Sequence, residues 1–216
     1  MSNRSIPLVD LSGFVSGDEG QKQAFVDALG KAFHEVGFVG VVNHQVPKDL
    51  IDGFYAASKA FFSLPVDIKK KYEIEGLAGQ RGYTSYGKEH AKQSNVADLK
   101  EFYQIGQYVS DDHPLKAEYP TNPTVLEIEG FSDYSKKLYK AFELAGGHLL
   151  RAIALHLGLA ENYFEDKIKD GNSILRTIHY PPITEEPKTA IRAEQHEDIN
   201  LITLLVGASA GGLQLL

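Results

Sequence analysis

The sequence predicts an α+β fold in which helices come first and strands gather toward the C-terminus. Three observations carry this. Apolar residues recur at helical spacing through Phe25, Leu29, Ala32, Phe33 and Val36, and again through Leu50, Ile51, Phe54, Ala57, Phe61 and Phe62. A longer run of the same kind follows in Val125, Phe131, Tyr134, Leu138, Phe142, Leu149, Ile153 and Leu157. After Gly171-Asn172 the pattern changes to short apolar runs over 173–180 and 190–206, bounded by Pro181-Pro182 and by Gly207-Ala208-Ser209-Ala210-Gly211-Gly212. At 216 residues, 43% apolar and 24% charged, the chain reads as one domain with a substantial core. Its two parts are 1–120, mixed helix and strand, and 121–216, a long helix followed by strands.

In chain order, 6–11 is a short strand with Pro7 at its start. Ser16-Gly17-Asp18-Glu19 has the S-x-x-E form of a capping box and opens the first long helix, which Gly37 ends. Residues 38–42 read as a buried strand. Pro47 fits the first position of the next helix, which stops before Pro65. A short charged helix over 66–72 carries Lys69-Lys70-Lys71, expected to be a solvated face. Residues 76–87 are a glycine-rich, aromatic loop with Arg81, Tyr83 and Tyr86, and 99–105 is a strand. Pro123 opens the long helical pattern. Gly146-Gly147 interrupts it, for close packing or a bend, and Gly158 ends it. A short helix over 161–168, a polar loop over 183–188 and a returning strand from Leu213 complete the reading. A strand edge left at Leu216 would expose unpaired backbone, so the natural protein is expected to continue.

The net charge of −7 and the absence of any Lys/Arg cluster argue against nucleic acid as a partner. With no cysteine there is no disulfide, thiolate metal site or cysteine nucleophile. The N-terminus lacks the apolar region of a signal peptide, and no run approaches the ~20 apolar residues of a membrane span, so a cytoplasmic protein without a membrane partner is expected. No H-E-x-x-H, P-loop or dinucleotide fingerprint is present.

Chemistry concentrates in Glu194-Gln195-His196-Glu197-Asp198-Ile199-Asn200. In an extended chain, side chains two apart leave the same face, so His196 and Asp198 can converge on one metal ion while Glu197 points away. Imidazole plus carboxylate is two-thirds of the 2-His-1-carboxylate triad of non-haem Fe(II) sites. With eight histidines and thirteen aspartates in 216 residues, chance alone supplies about half an H-x-D pair, so a polar loop with Asp198 as a turn or cap residue stands beside the metal reading. Arg81 and Tyr180 could anchor a carboxylate; the alternatives are an exposed loop arginine and a core aromatic. His44 reads as a turn residue, and His148 and His156 as surface or packing residues of the long helix. His179 faces away from Tyr180, and His34, His90 and His113 read as exposed.

In combination these blocks resemble one family. Ile6-Pro7-Leu8-Val9-Asp10-Leu11, Gly37-Phe38 with Asn43-His44-Gln45-Val46-Pro47, Phe61-Phe62-Ser63-Leu64-Pro65, Lys71-Tyr72 and Arg81-Gly82-Tyr83 are similar, in order, to the N-terminal blocks of the isopenicillin N synthase-like non-haem iron, 2-oxoglutarate-dependent oxygenases. Leu175-Arg176 with His179-Tyr180-Pro181-Pro182 resembles the strand before that family's metal motif. His196-Glu197-Asp198 with Leu201-Ile202-Thr203-Leu204-Leu205 and Gly211-Gly212-Leu213-Gln214 resembles the metal strand and its return. The resemblance implies a double-stranded β-helix (jelly-roll) core with supporting helices, incomplete here at the C-terminus. It implies Fe(II) held by His196 and Asp198, Tyr180 on a cosubstrate or substrate carboxylate, and Arg81 as a substrate contact. 2-Oxoglutarate and O2 would be consumed, with ascorbate as a supporting reductant, giving succinate and CO2 while a small-molecule substrate is hydroxylated, desaturated or ring-closed. The family's second metal histidine and its Arg-x-Ser pair lie beyond the last block that this chain contains. Two alternatives follow: an oxidase of the same fold that uses no 2-oxoglutarate, and a truncated, non-catalytic fragment or binding module.

Overall fold

A computed structural model describes residues 5–89, 98–184 and 190–214. His90, parts of the 183–188 loop and the end of the returning strand lie outside them. The first strand, β1 (Leu8–Asp10), pairs in parallel with β2 (Gly40–Val42), Leu8 opposite Gly40 and Asp10 opposite Val42. Between them run a one-turn helix, α1 (Ser12–Val15), and α2 (Glu19–Val36). The capping box sits two residues later than the S-x-x-E pattern suggests. Asp18 accepts from Gln21 N at 2.9 Å and its own amide donates to Gln21 Oε1 at 2.9 Å. Ser16 instead bonds Ser12 O at the end of α1. Gly37 ends α2 in the left-handed region, φ 76°, as its sequence position implies.

Helix α3 (Lys48–Phe62) is capped by Pro47, and α4 (Val66–Lys70) follows Pro65. Lys69 corrects the expected solvated face: it is only 5% exposed, while Lys70 and Lys71 are open to solvent. Its helix packs on the sheet, and the ammonium finds a buried carboxylate there. That sheet is antiparallel, in the order β3 (Gly82–Thr84), β4 (Glu101–Gly106), β5 (Ile174–His179). Glu101 lies opposite His179, Tyr103 opposite Thr177 and Gly106 opposite Ile174. Gly82, with φ 72°, lets Tyr83 N reach Tyr72 O at 2.9 Å, and a Cβ there would collide with that carbonyl.

Helix α5 (Phe131–His156) starts later than Pro123. The intervening backbone is taken by tertiary partners: Val125 N donates to Ser132 Oγ at 3.1 Å and Leu126 N to Tyr72 Oη at 3.0 Å. The helix runs unbroken through Gly146-Gly147, and a Cβ at Gly146 would meet Leu204 only at ordinary contact distance. At 26 residues and 1.5 Å per residue it is about 39 Å long. It serves two cores. Leu138, Tyr139 and Ala145 pack with Phe54, Phe61, Tyr83, Tyr103 and Phe131; Leu149 and Ala152 pack with Val9, Leu11, Phe25, Val26 and Leu29. Phe61, fully enclosed, meets Phe62, Tyr72, Tyr83 and Tyr103 edge-on at 5.1–5.9 Å between ring centroids. A short α6 (Glu165–Ile168) precedes β5. No helix of the described residues is long and apolar enough to cross a membrane.

The strand expected over 190–206 forms no ladder in the structure. Ile202, Leu204 and Val206 alternate with the more exposed Leu201, Thr203 and Leu205, and Ile202 and Leu204 touch the α2/α5 core, so the side chains keep the period of a strand. What is missing is a paired strand: Ile191 O accepts a bond from Leu99 N, but among the described residues no ladder forms along the segment.

Candidate metal centre and its supporting charges

His196 and Asp198 come together on this extended segment. His196 Nε2 lies 3.7 Å from Asp198 Oδ1. The other ring nitrogen, Nδ1, is 2.8 Å from Glu194 O. A carbonyl only accepts, so Nδ1 carries a proton, and Nε2, which holds the lone pair in the neutral ring, is turned toward the carboxylate. Two donors at right angles on one divalent ion, each bonded at about 2.1 Å, stand about 3 Å apart. Both side chains are more than half exposed and free to close from 3.7 Å, so the pair fits two positions of a metal site. Among the described residues no third His, Asp or Glu joins them.

Tyr180 follows the last residue of β5. The alternation of the strand puts it on the face of Ile174, Arg176 and Ile178, which is open and largely apolar. Arg192 links this end of the strand to the metal segment: its Nη1 donates to Tyr180 O at 3.2 Å and to Pro181 O at 3.3 Å, with the guanidinium 5.9 Å from the Tyr180 ring centroid.

Arg81 is placed elsewhere. It is 0% exposed, not an exposed loop residue, and its guanidinium donates to Pro120 O, to Gln80 O at 2.7 Å and to Asn172 Oδ1 at 2.7 Å, packed flat against Gly106. Gly106 and Asn172 mark the far end of the β4/β5 ladder, so six residues of strand, about 20 Å, separate Arg81 from Tyr180. The structure therefore brings His196 and Asp198 together, ties Arg192 of the same segment to the backbone of Tyr180, and gives Arg81 an enclosed position.

Two charged networks escaped the sequence reading. In one, Lys69 Nζ donates to Glu101 Oε2 at 2.7 Å, Oε1 at 3.0 Å and Phe62 O at 3.0 Å. Glu101 also takes the Tyr83 hydroxyl and lies 2.8 Å from His179 Nδ1, while the His179 ring stacks on Phe62. Burial pushes the Glu101 carboxyl up, but Lys69, Tyr83 and His179 together hold it below the ordinary glutamate value. Burial, and then the Glu101 carboxylate, push the Tyr83 phenol up. This network floors an open cleft of about 410 Å³, lined by Val66, Lys70, Ser85, Tyr86 and Pro181. In the other network, Lys100 bonds Asp98 Oδ2 and Glu89 Oε2, both at 2.7 Å, and Arg176 reaches Glu89 at 3.2 Å. Burial works against the Lys100 ammonium, yet Asp98 and Glu89 raise its pKa above the ordinary lysine value. The available signal was the charged run Asp98-Leu99-Lys100-Glu101 leading into a strand that is otherwise aromatic or apolar except for Gln104.

Comparison with known proteins bears on the whole of this arrangement. Residues 6–125 match the family model described as non-haem dioxygenase in morphine synthesis N-terminal. The chain is 31% identical over 216 residues to proline hydroxylase buaE of Petromyces alliaceus, covering 97% of this chain and 66% of that relative. Among solved structures, a putative 2OG-Fe(II) oxygenase family protein from Caulobacter crescentus aligns with TM-score 0.74 and 35% identity, over 86% of this chain and 59% of that one. A full-length Neurospora crassa protein, solved in complex with alpha-KG, aligns with TM-score 0.73 and 29% identity, over 88% and 60%. The chain thus spans about two thirds of the length of the curated relatives it matches.

Proposed function

This chain belongs to the non-haem dioxygenase family, the Fe(II)- and 2-oxoglutarate-dependent oxygenases, and we propose that the protein oxidises a small molecule at a metal held by His196 and Asp198. The observation that carries this is the imidazole fixed through Nδ1 on Glu194 O with Nε2 presented to Asp198 at 3.7 Å. Fe(II), when bound, supplies the activation of O2 that 2-oxoglutarate drives, with succinate and CO2 released. The residues of this chain do the rest. The Asp198 carboxylate contributes the negative charge of the site, and His196 a neutral donor whose tautomer is set by the backbone. Tyr180 Oη offers a hydrogen bond to a carboxylate of the 2-oxo acid or of the substrate. Ile178, on the same face of β5 as Tyr180, offers an apolar surface beside it. The three-stranded sheet forms the first part of a jelly-roll core, with α3 and α5 supporting its outer face; the TM-scores against the Caulobacter and Neurospora structures support this. The complexes of the Neurospora protein with alpha-KG, and with alpha-KG and thymine, support a 2-oxo acid cosubstrate and a small-molecule substrate.

The test is anaerobic calorimetric titration with Fe(II), paired with succinate release from 2-oxoglutarate under O2 and ascorbate. Asp198→Ala is expected to abolish both. Undiminished iron occupancy and turnover in that variant would sink the assignment.

A further inference from the structure

The metal segment has few packing contacts of its own, and it carries no ladder hydrogen bonds. Something else must set the peptide whose carbonyl orients His196. That carbonyl belongs to Glu194, whose own N–H, on the preceding peptide, donates to Asp98 Oδ1 at 3.3 Å. Three residues earlier, Ile191 O accepts from Leu99 N at 2.9 Å, so the segment is gripped at two points by the stretch that leads into β4. Asp98 is buried, and its second oxygen is held by Lys100 at 2.7 Å. Lys100 is tied in turn to Glu89, and Glu89 to Arg176 on β5, while Asp98 N bonds Glu89 O at 2.8 Å. Two anions and two cations thus form a balanced network between the sheet and the metal segment. A buried carboxylate so fixed can accept one further hydrogen bond without moving.

We propose that Asp98, clamped by Lys100, is a positioning residue for the metal site: it anchors Glu194 by its N–H, and the Glu194 carbonyl, one Cα further along, holds the His196 ring with Nε2 turned toward Asp198. Asp98 touches neither a metal nor a substrate; it acts through His196. The inference rests on the proposed function for its consequence, but the geometry that it predicts exists without metal. Groups that orient a metal-ligating histidine change metal affinity by about 10–100-fold when removed.

The experiment uses the 216-residue chain, uniformly labelled with 15N and free of metal, at about pH 8, where imidazole is neutral. Long-range 1H–15N spectra report the tautomer of His196. Wild type is expected in the Nδ1–H form. Asp98→Ala is expected to convert most of it to the Nε2–H form that unconstrained histidine prefers, and Lys100→Met to move it the same way. Mn(II) titration, followed by the electron paramagnetic resonance of the free ion, should then show about 10–100-fold weaker binding in Asp98→Ala and none in Asp198→Ala. An Nε2–H tautomer in wild type, or an unchanged tautomer or Mn(II) affinity in Asp98→Ala, overturns the inference while leaving the function standing. Mn(II) binding that survives Asp198→Ala removes the proposed function and the inference with it. Should Asp98→Ala not fold, amide exchange in wild type decides: the Glu194 N–H must exchange about tenfold more slowly than that of Glu197, and equal rates overturn the proposal.

Discussion

Replacing Lys69 by Met removes a buried cation and keeps its apolar stem. Nζ gives up three hydrogen bonds, two to Glu101 and one to Phe62 O. Breaking one side of a buried ion pair costs about 3–5 kcal/mol, because the surviving charge stays buried without its partner. Glu101 retains the Tyr83 hydroxyl and His179, which places the loss near the lower end, about 3 kcal/mol at pH 8. For a chain of this size that lowers Tm by about 6–12 °C. Urea melts of wild type and Lys69→Met measure this. A loss under about 1 kcal/mol at pH 8 would refute the reasoning. Replacing Glu101 by Leu in the Lys69→Met background should recover most of the stability, because no buried charge is then left over.

Three further outcomes are expected. Phe61→Ala removes the ring at the centre of four edge-on aromatic contacts and should cost about 3–5 kcal/mol in a urea melt. Gly82→Ala forces a Cβ against Tyr72 O at a positive φ and should cost about 2–4 kcal/mol, with loss of exchange protection at Tyr83 N. The raised Lys100 pKa means stability that is full below about pH 10.5 and lost as pH rises through the folded-state value; urea midpoints above about pH 10 should therefore fall more steeply in wild type than in Lys100→Met.

The helices were legible because their information is local. The apolar spacing of α3 and the Gly37 stop of α2 both lie within a few residues of what they specify. Where tertiary partners compete, the reading slipped. Asp18 displaced Ser16 as the cap of α2, and the Tyr72 hydroxyl took the backbone that Pro123 seemed to start as helix. Of residues 190–206, 201–206 kept the strand period in their side chains but no ladder formed, since pairing is a property of two segments and the sequence of one cannot supply it. The H-x-D pair was readable as a spacing. Lys69 and Arg81 were not, because their partners lie 32 and 91 residues away; Lys100 stands close to Asp98 in sequence, but the Glu194 N–H that Asp98 holds is 96 residues off.

One helix belongs to both apolar cores. The inner face of α5 passes from Leu138, Tyr139 and Ala145 in one cluster to Leu149 and Ala152 in the other without leaving helical geometry. Neither cluster can come apart while the helix stays docked in the other unless the helix itself breaks, and Gly146-Gly147, the weakest place in it by intrinsic propensity, falls between the two. The molecule therefore has a built-in choice between one cooperative unit and two. With the glycines helical, the buried amides of α5 should exchange with a single free energy along its whole length. A variant such as Gly147→Pro would sever the two units and let the β1/β2 end open alone.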